Sequence, residues 1–436
     1  MSVVLDRYEK MNGWGRKRKL PIGFVVISFI YFFVNSFLLP EGLLYTTLLT
    51  PFFLIWLKQE RAPIEKIILV FLLIFVFLFC VHSYNGIQVA DYLKSTTLYL
   101  SCVIFVSVVF VFVKKYGSIY EPLQEKILKY NIVFVFIAVG SLVVWKTKNI
   151  FWYSNELNEN LGLLPRLKLL TYESSYYSIL LVPAFFLYFQ YFYFSNLSKK
   201  RLYLFASVIF SLILSLSYGT LGAIFLSLFL FVIINFLSRK RSKYNLKFIV
   251  ILSIVGVLAL YLVFGPLSES GFAKRIFSIF GGTDTSVNGR SFESYLLADK
   301  VLDLRSHFWG VGPGQFKILG KNIVDDFYDY TLLDTSTSNV ARLPCATAET
   351  FAVFGYLGVI IRLAFEWFLF VKTKVAKSSF RLCLFLFMFF TQFVGSNITN
   401  IPEYTIWILA FSNIFPDGYF RKKVLLRDPV TEIKLP

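Results

Sequence analysis

Long apolar runs alternate with short polar segments along most of this chain. The runs are about 16 to 22 residues long, which is enough to cross a bilayer as helices. Backbone polar groups inside a bilayer must be satisfied within their own segment, so each run is interpreted as a helix and the fold class as all-α, a polytopic integral membrane protein. Twelve runs are predicted as transmembrane helices: 21–39, 42–57, 66–82, 97–113, 130–145, 175–194, 202–217, 219–237, 246–264, 346–371, 380–395 and 402–415.

The seventh and eighth runs form one apolar block, which we divide at Ser217-Tyr218-Gly219-Thr220. An undivided helix of about 36 residues would measure about 54 Å, far more than the hydrocarbon core. The division also places most of the 44 Lys and Arg residues on alternate segments. Cytoplasmic segments carry the excess of these residues, so both termini are predicted to be cytoplasmic. The basic stretch before the first run precedes no small-residue cleavage site, which favours a retained first helix.

One long polar segment separates the ninth and tenth runs. Residues 265–345 would form a single outer loop of about 80 residues, and loops longer than about 15 residues are usually functional or disordered. Aromatic and apolar residues occur throughout this loop, which indicates that it folds. The chain is therefore divided into helices 1–9 (residues 1–264), the outer loop (265–345), and helices 10–12 with a cytoplasmic tail (346–436).

The composition of the chain excludes several kinds of partner and site. The chain is 57% hydrophobic and 16% charged, whereas average proteins are about 25% charged. The net charge of +18 comes from basic clusters at helix ends, where they face anionic headgroups, so no nucleic-acid partner is expected. Four Cys and two His residues are too few for a disulfide framework or a histidine metal cluster, and we expect neither a metal nor another cofactor.

Arginines of the predicted outer segments are candidates for binding phosphate. A guanidinium group binds phosphate oxygens bidentately and stays charged at any relevant pH. The outer arginines are Arg166, Arg275, Arg290 and Arg342. Contact with lipid headgroups or acidic neighbours is the alternative interpretation for each of them.

Two glutamates lie at the predicted outer ends of helices. Glu173 precedes the sixth run and Glu349 opens the tenth. Either carboxylate could act as a general base on a sugar hydroxyl within hydrogen-bond reach. The alternative is a structural role, because the helix dipole stabilises a carboxylate at a helix N-terminus by about 0.3–1 kcal/mol.

The string Gly310-Val311-Gly312-Pro313-Gly314 is the most distinctive in the outer loop. It lacks the preceding strand, following helix and downstream acidic residue of a dinucleotide site. Alternate glycines around a proline instead predict a tight turn with positive φ angles. Charged residues surround the string, so we expect this turn to shape a site.

Arg362 and Glu366 lie four residues apart inside the tenth run and share a helix face. Counted down a straight helix from its outer end, Arg362 would lie about 24 Å deep, near the inner boundary. The sequence therefore favours a structural pair or a snorkelling side chain at this position.

Several strings together resemble the O-antigen ligase and polymerase superfamily, integral membrane glycosyltransferases with a large periplasmic loop late in the chain. The loop carries NGR at 288–290 and HFWGVGPGQF at 307–316. TYESSYYS at 171–178 is similar to the Glu-Pro-Ser-Phe type string of O-antigen polymerases, with Ser174 in place of the usual proline. AET at 348–350 and FGYLG at 354–358 resemble the Leu-Glu…Gly-x-x-Gly string of the family.

The resemblance implies an enzyme of the bacterial inner membrane that polymerises polyprenyl-pyrophosphate-linked oligosaccharide units into O-antigen or a related surface polysaccharide. Its partners would be the lipid-linked glycan donor and acceptor, the lipid bilayer and a chain-length regulator. The candidate catalytic residues are Arg290, Glu173 and Glu349; the candidate substrate-binding residues are Arg166, Arg275, Arg342, Gly310, Gly312 and Gly314.

Two alternatives remain open. Ligases of the superfamily carry a histidine where this chain has Pro344 and Cys345, and often an arginine in the hairpin that here reads YGTLGA at 218–223. Both departures favour a polymerase over a ligase. A lipid-linked oligosaccharide flippase would also suit twelve helices, but transporters typically show internal repeats, which the two halves of this chain lack.

Overall fold

A computed structural model describes the chain in eleven ranges: 21–34, 45–84, 86–143, 145–153, 165–194, 198–237, 261, 268, 271–328, 343–415 and 419–420. The first nine helices of these ranges are α1 (Ile22–Phe29, continued by a π-helical segment at Ile30–Val34), α2 (Tyr45–Gln59), α3 (Ile64–Ser83), α4 (Val89–Tyr116), α5 (Tyr120–Ser141), α6 (Trp145–Phe151), α7 (Ser174–Tyr193), α8 (Lys199–Ser215) and α9 (Tyr218–Leu237). The remaining helices are α10 (Gly271–Phe280), α11 (Thr285–Arg290), α12 (Phe292–Leu302), α13 (Phe316–Tyr328), α14 (Ala346–Lys372), α15 (Ser379–Val394) and α16 (Ile401–Phe411).

Eleven of the twelve predicted runs coincide with a described helix, and the ninth, 246–264, lies outside the described residues apart from Tyr261. Four helical stretches of the described residues are long and apolar enough to cross a membrane: Ile64–Ser83, Val89–Ser141, Tyr218–Phe236 and Ala346–Lys372. The second of these contains α4 and α5, joined by a 3-10 turn. The chain is thus an all-α membrane protein, while the count of twelve crossings and their orientation stay predictions.

The long apolar block divides close to the predicted position. Helix α8 ends where Leu216 adopts a left-handed conformation with φ 44°. Helix α9 begins two residues later, and the Ser217 carbonyl accepts a hydrogen bond from the Leu221 amide at 2.9 Å. Ser217 Oγ also lies 3.0 Å from Thr220 Oγ1. The break in the helix here confirms that the block forms two helices.

Helix α7 is the centre of the bundle. All but three of its 20 residues are buried, and it packs against α8, α9, α15 and α16. A helix that is apolar all round needs neighbours on every side, which is the position of a central helix in a large bundle. Two of its polar side chains bond neighbouring helices, since Tyr177 donates to Asn131 at 2.6 Å and Ser178 donates to Thr220 at 2.9 Å.

Helices α3 and α14 have the opposite character. Large apolar side chains are exposed along both of them, including Leu73 and Phe77 on α3 and Ile360 and Trp367 on α14. Exposed apolar surface of this extent is typical of faces that contact lipid or a partner. These two helices therefore form part of the outside of the bundle.

Residues 271–328 of the polar segment predicted as the outer loop are folded. It contains α10 to α13, and α12 packs against both α13 and α14. A second hydrophobic core forms there, distinct from the main core and built from α12, α13, the segment before α14 and the first turns of α14. This core holds the segment against the outer end of α14.

A small departure from the all-α prediction lies between α6 and α7. Strands β1 (Trp152–Tyr153) and β2 (Arg166–Leu167) form a two-residue antiparallel ladder with Trp152 opposite Leu167. The pattern of the sequence gave no sign of so short a ladder, because two residues cannot show the alternation of a strand.

Candidate functional site

Helix α14 is broken in its N-terminal half. Gly355 has φ 64° and ψ −164°, a conformation outside the helical region. The break leaves backbone groups of the helix unpaired, and the glycine-rich turn of the outer segment pairs with them. The carbonyls of Ala352 and Val353 accept hydrogen bonds from the amides of Val311 at 2.9 Å and Gly312 at 3.0 Å.

The other side of the break is satisfied in the same way. The amides of Tyr356 and Leu357 donate to the carbonyls of His307 at 2.8 Å and Phe308 at 3.3 Å. A Cβ atom at Gly355 would lie 2.4 Å from the Phe308 carbonyl oxygen. Only glycine allows this approach at a positive φ, so the break and the turn fit each other as one unit.

The three predicted glycines of the turn all have positive φ, at 83° for Gly310, 94° for Gly312 and 74° for Gly314. This confirms the interpretation of the string as a tight turn. Two of them also contact backbone directly. A Cβ atom at Gly310 would lie 2.3 Å from the Val353 oxygen, and one at Gly314 would lie 2.4 Å from the Asp91 oxygen.

Hydrogen bonds of polar side chains hold the turn against α3 and α4. The His82 Nε2 atom lies 3.0 Å from the Trp309 carbonyl, and its Nδ1 lies 3.2 Å from the Tyr92 hydroxyl. A carbonyl can only accept, so Nε2 donates to Trp309 and Nδ1 accepts from Tyr92. The Gln315 amide bonds the backbone of Gln88 twice, at 2.9 and 3.0 Å. The ends of α3, α4 and α14 and the outer segment therefore lie together.

A cavity of about 110 Å³ opens between the turn and the helix ends. Its walls come from the first turns of α4, the start of α13 and the outer part of α14. Its polar and charged lining residues are Asp91, Lys94, Ser95, Tyr99, Lys317 and Glu349. Two ammonium groups and two carboxylates thus border one small space.

Glu349 is the buried carboxylate of this cavity. Its side chain is 7% exposed, and its Oε2 accepts a hydrogen bond from the Ile398 amide at 2.6 Å. Ile398 belongs to the segment between α15 and α16, so this bond ties three helices together. The first turn of α14 gives the carboxylate the helix-dipole stabilisation expected from the sequence. A carboxylate held in this way is positioned for chemistry as well as for structure.

The two lysines lie on different elements. Lys94 is on α4 and Lys317 is on α13, and both side chains are exposed. They supply positive charge to the lining of the cavity that also contains Glu349 and Asp91. An ammonium group is a compact charge that accepts many phosphate geometries. The pair could therefore hold an anionic group beside the carboxylate.

Arg362 lies much nearer to the outer end of α14 than the sequence indicated. Its Nη1 donates to Thr350 Oγ1 at 2.9 Å. In a straight helix these residues would be about 18 Å apart along the axis, too far for an arginine side chain to bridge. The break at Gly355 brings them together. The straight-helix geometry behind the predicted depth is therefore wrong, and the depth itself stays a prediction.

The structural pair predicted for Arg362 is present. The Arg362 Nε atom donates to Glu366 Oε1 at 3.2 Å and to Gln392 Oε1 at 2.8 Å. Gln392 Nε2 in turn donates to Glu366 Oε2 at 2.8 Å. These three side chains join α14 to α15, and Arg362 also reaches Thr350, the residue that follows Glu349.

Cys345 and Pro344 stand where ligases of the superfamily that the sequence resembles have a histidine. The Cys345 thiol is buried and lies 3.3 Å from the Phe393 carbonyl and 3.5 Å from the Tyr295 hydroxyl. Burial raises the pKa of the Cys345 thiol above its ordinary value, so the thiolate is disfavoured. A buried thiol of this kind is inert as a nucleophile or base.

The structure brings together only part of the predicted site. Glu349 and Gly314 line the cavity, and Gly310 and Gly312 belong to the same turn. Arg290 is half-buried at the end of α11 and does not line the cavity.

The other candidates lie elsewhere. Glu173 is at the N-terminus of α7, where its carboxylate accepts a hydrogen bond from Ser175 Oγ. Arg166 is in β2, and its Nε donates to the Ser215 carbonyl at 3.3 Å. Arg275 is in α10, with a side chain outside what the structure describes, and Arg342 lies outside the described residues. Their proposed roles stay predictions.

Sequence reasoning missed Lys94, Lys317 and the outer position of Arg362. It considered only arginines as phosphate ligands. Lys94 falls in the predicted outer loop between the third and fourth runs, and Lys317 follows the glycine string by three residues. The argument applied to the outer arginines could therefore have included both lysines.

Comparison with known proteins adds no identification: no family model matches the chain, and no curated protein matches it. Function therefore has to be inferred from the site itself.

Proposed function

We propose that this protein is a membrane glycosyltransferase that polymerises polyprenyl-pyrophosphate-linked oligosaccharide repeat units. The observation that carries the proposal is the cavity lined by buried Glu349 together with Lys94, Lys317 and Asp91, at the ends of α4 and α14. A base beside a cationic surface suits a reaction in which a hydroxyl attacks a carbon that bears a pyrophosphate leaving group. The likeness of three sequence strings to O-antigen polymerases supports the same activity.

In the proposed reaction, the hydroxyl oxygen of the acceptor sugar forms a bond to the anomeric carbon of the donor glycan. The bond from that carbon to the phosphate oxygen breaks, and its electron pair leaves with the pyrophosphate. Glu349 takes the hydroxyl proton. Lys94 and Lys317 stabilise the charge on the departing pyrophosphate, and Arg290 is the sequence-based candidate for the same task. The activated lipid pyrophosphate makes a soluble nucleotide sugar unnecessary.

The hydrogen bond from Ile398 has a definite consequence for this role. It occupies one lone pair of Glu349 Oε2 and orients the carboxylate. An ionised carboxylate has about four acceptor positions. In the proposed reaction, the proton of the sugar hydroxyl goes to another of these acceptor positions.

The lipid-linked glycans of cells that lack the protein test the activity. We expect single repeat units to accumulate on the lipid carrier at the outer face of the membrane. Complete polymer stranded on the carrier would instead identify a ligase. Repeat units trapped on the inner leaflet would identify a flippase, and either result would overturn the proposal.

Replacing both lysines by glutamine is expected to shorten or abolish the glycan ladder. A hydrogen bond to a charged group contributes about 1.5–3 kcal/mol, so each lysine is expected to change the polymerisation rate about tenfold to a hundredfold. Polymer length would be measured at matched membrane levels of Lys94→Gln, Lys317→Gln and the double variant. Lys321→Gln is the matched control, because Lys321 is exposed on the same helix α13 and does not line the cavity. Equal ladders from Lys317→Gln and Lys321→Gln would remove the lysine pair from the mechanism.

A further inference from the structure

A second, larger cavity lies below the first, inside the membrane-facing part of the bundle. It measures about 610 Å³, within the range of about 300–1,000 Å³ that is typical of ligand sites. Helices α3, α4, α14 and α16 form its walls, which are mainly apolar. We call this cavity the membrane groove.

The membrane groove opens towards the lipid between α3 and α14. Phe71 on α3 and Phe365 on α14 both line it. Phe71 is buried, whereas Phe365 is 58% exposed on the outer surface of the bundle. One wall of the groove therefore continues directly into the surface that faces lipid, and an apolar chain could enter from the side.

A guanidinium group faces this apolar space. Arg362 lines the membrane groove together with Glu366, its ion-pair partner. Nε and Nη1 of Arg362 have acceptors, whereas Nη2 has none among the described residues. Glu366 balances the charge of Arg362, so an anionic group of a ligand would bind as an additional acceptor at Nη2. The groove therefore suits an amphiphile that carries an anionic group on an apolar chain.

The membrane groove and the outer cavity share a wall. Tyr99 of α4 lines both of them. The Glu349 carboxylate bonds the amide of Ile398, and Ile398 also lines the groove. A molecule whose chain lies in the groove would thus have its head within reach of the outer cavity.

We infer that the membrane groove binds the isoprenoid chain of a polyprenyl phosphate lipid, which enters sideways between α3 and α14 with its phosphate directed towards Arg362 and the outer cavity. The choice of an isoprenoid lipid rests on the proposed function; the groove, its opening and its cation are features of the fold. Bilayer and groove are both apolar, so transfer of the chain between them gains little from the hydrophobic effect. Recognition therefore depends on close packing against the aromatic walls and on the charge of Arg362.

Photolabelling would locate the chain directly. The purified full-length protein is placed in nanodiscs of phosphatidylethanolamine and phosphatidylglycerol with an isoprenoid monophosphate that carries a diazirine in its chain. Labelled peptides are expected to include α3 and α14 around Phe71 and Phe365. Excess undecaprenyl phosphate is expected to remove this labelling, whereas the same amount of dioleoyl phosphatidic acid is not. Phe229 of α9, which is also exposed, reports background labelling by bulk lipid.

Closing the opening provides the matched variant. Phe71→Cys and Phe365→Cys are combined in a chain whose four native cysteines are replaced by alanine, because Cys102 also lines the groove. A cleavable bis-maleimide that joins the two new thiols is expected to reduce groove labelling at least fivefold, and cleavage of the linker is expected to restore it. The cysteine-free protein treated with the same reagent should label normally. Restoration on cleavage separates a closed opening from a misfolded variant.

Several results would overturn the inference: labelling spread evenly over α3, α9 and α14, equal competition by phosphatidic acid, or labelling unaffected by the linker. These readouts are independent of polymer synthesis. Groove labelling in a protein that fails the glycan test would leave the groove assignment standing and reject the polymerase. Normal polymer synthesis with a photolabel that maps elsewhere would leave the polymerase standing and reject the groove assignment.

Discussion

Glu349→Gln is expected to abolish the glycan ladder while leaving a folded protein in the membrane. Glutamine keeps an oxygen that can accept the hydrogen bond from Ile398, so the local geometry is retained. It cannot take a proton from a sugar hydroxyl, and a general base contributes about 10²–10⁴ in rate. The measurement is polymer length and amount in cells that express the variant at the level of the unaltered protein.

Glu173→Gln tests the other candidate base in the same assay. Glu173 also lies at a helix N-terminus, but it does not line the cavity. A carboxylate that only stabilises the helix dipole is worth about 0.3–1 kcal/mol, so Glu173→Gln should retain most of its polymer. A normal ladder from Glu349→Gln would restrict Glu349 to a structural role. Loss of polymer in Glu173→Gln alone would transfer the role of base to Glu173.

Gly310→Ala is expected to be among the most destabilising single substitutions in the outer segment. The new Cβ would lie 2.3 Å from the Val353 carbonyl oxygen, a backbone atom. Relief of such a contact costs about 1–3 kcal/mol, and the positive φ adds about 1–3 kcal/mol of strain for a residue with a side chain. The thermal stability of the detergent-solubilised protein, followed by size-exclusion chromatography after heating, would measure the loss.

Gly282→Ala separates the two contributions. Gly282 has a similar φ of 70°, and a Cβ there would meet no atom within 4 Å. Its substitution should therefore cost only the conformational strain. If both variants lose the same stability, the close contact between the turn and α14 contributes nothing.

Hydropathy alone located most of the helices, because apolar runs of membrane length leave the backbone no alternative to helix. The turn at Gly310 was equally accessible, since alternate glycines around a proline demand positive φ. The break at Gly355 could not be predicted from the sequence. FGYLG inside an apolar run resembles continuous helix, and the hydrogen bonds that make the break possible come from residues more than forty positions earlier in the chain.

The same limit explains the errors about the site. Glu349 could be found because it opens a helix next to a polar segment. The depth of Arg362 was predicted for a straight helix, so the prediction did not take the break at Gly355 into account. Lys94 belongs to a different helix, and only tertiary packing brings it to the cavity of Glu349. Spacing along one element was visible in the sequence, whereas convergence of separate elements was not.

The hydrogen bonds between the turn and the broken helix also determine where a charge lies along α14. Without the turn, the orphaned amides and carbonyls would favour a continuous α14, in which Arg362 would lie about 18 Å along the axis from Thr350. Arg362 would then lose its hydrogen bond to Thr350, and a hydrogen bond to a charged group contributes about 1.5–3 kcal/mol. Detachment of the segment that carries the turn would therefore also cost this hydrogen bond. A few glycines on one segment act in this way as a tether for a cation on another.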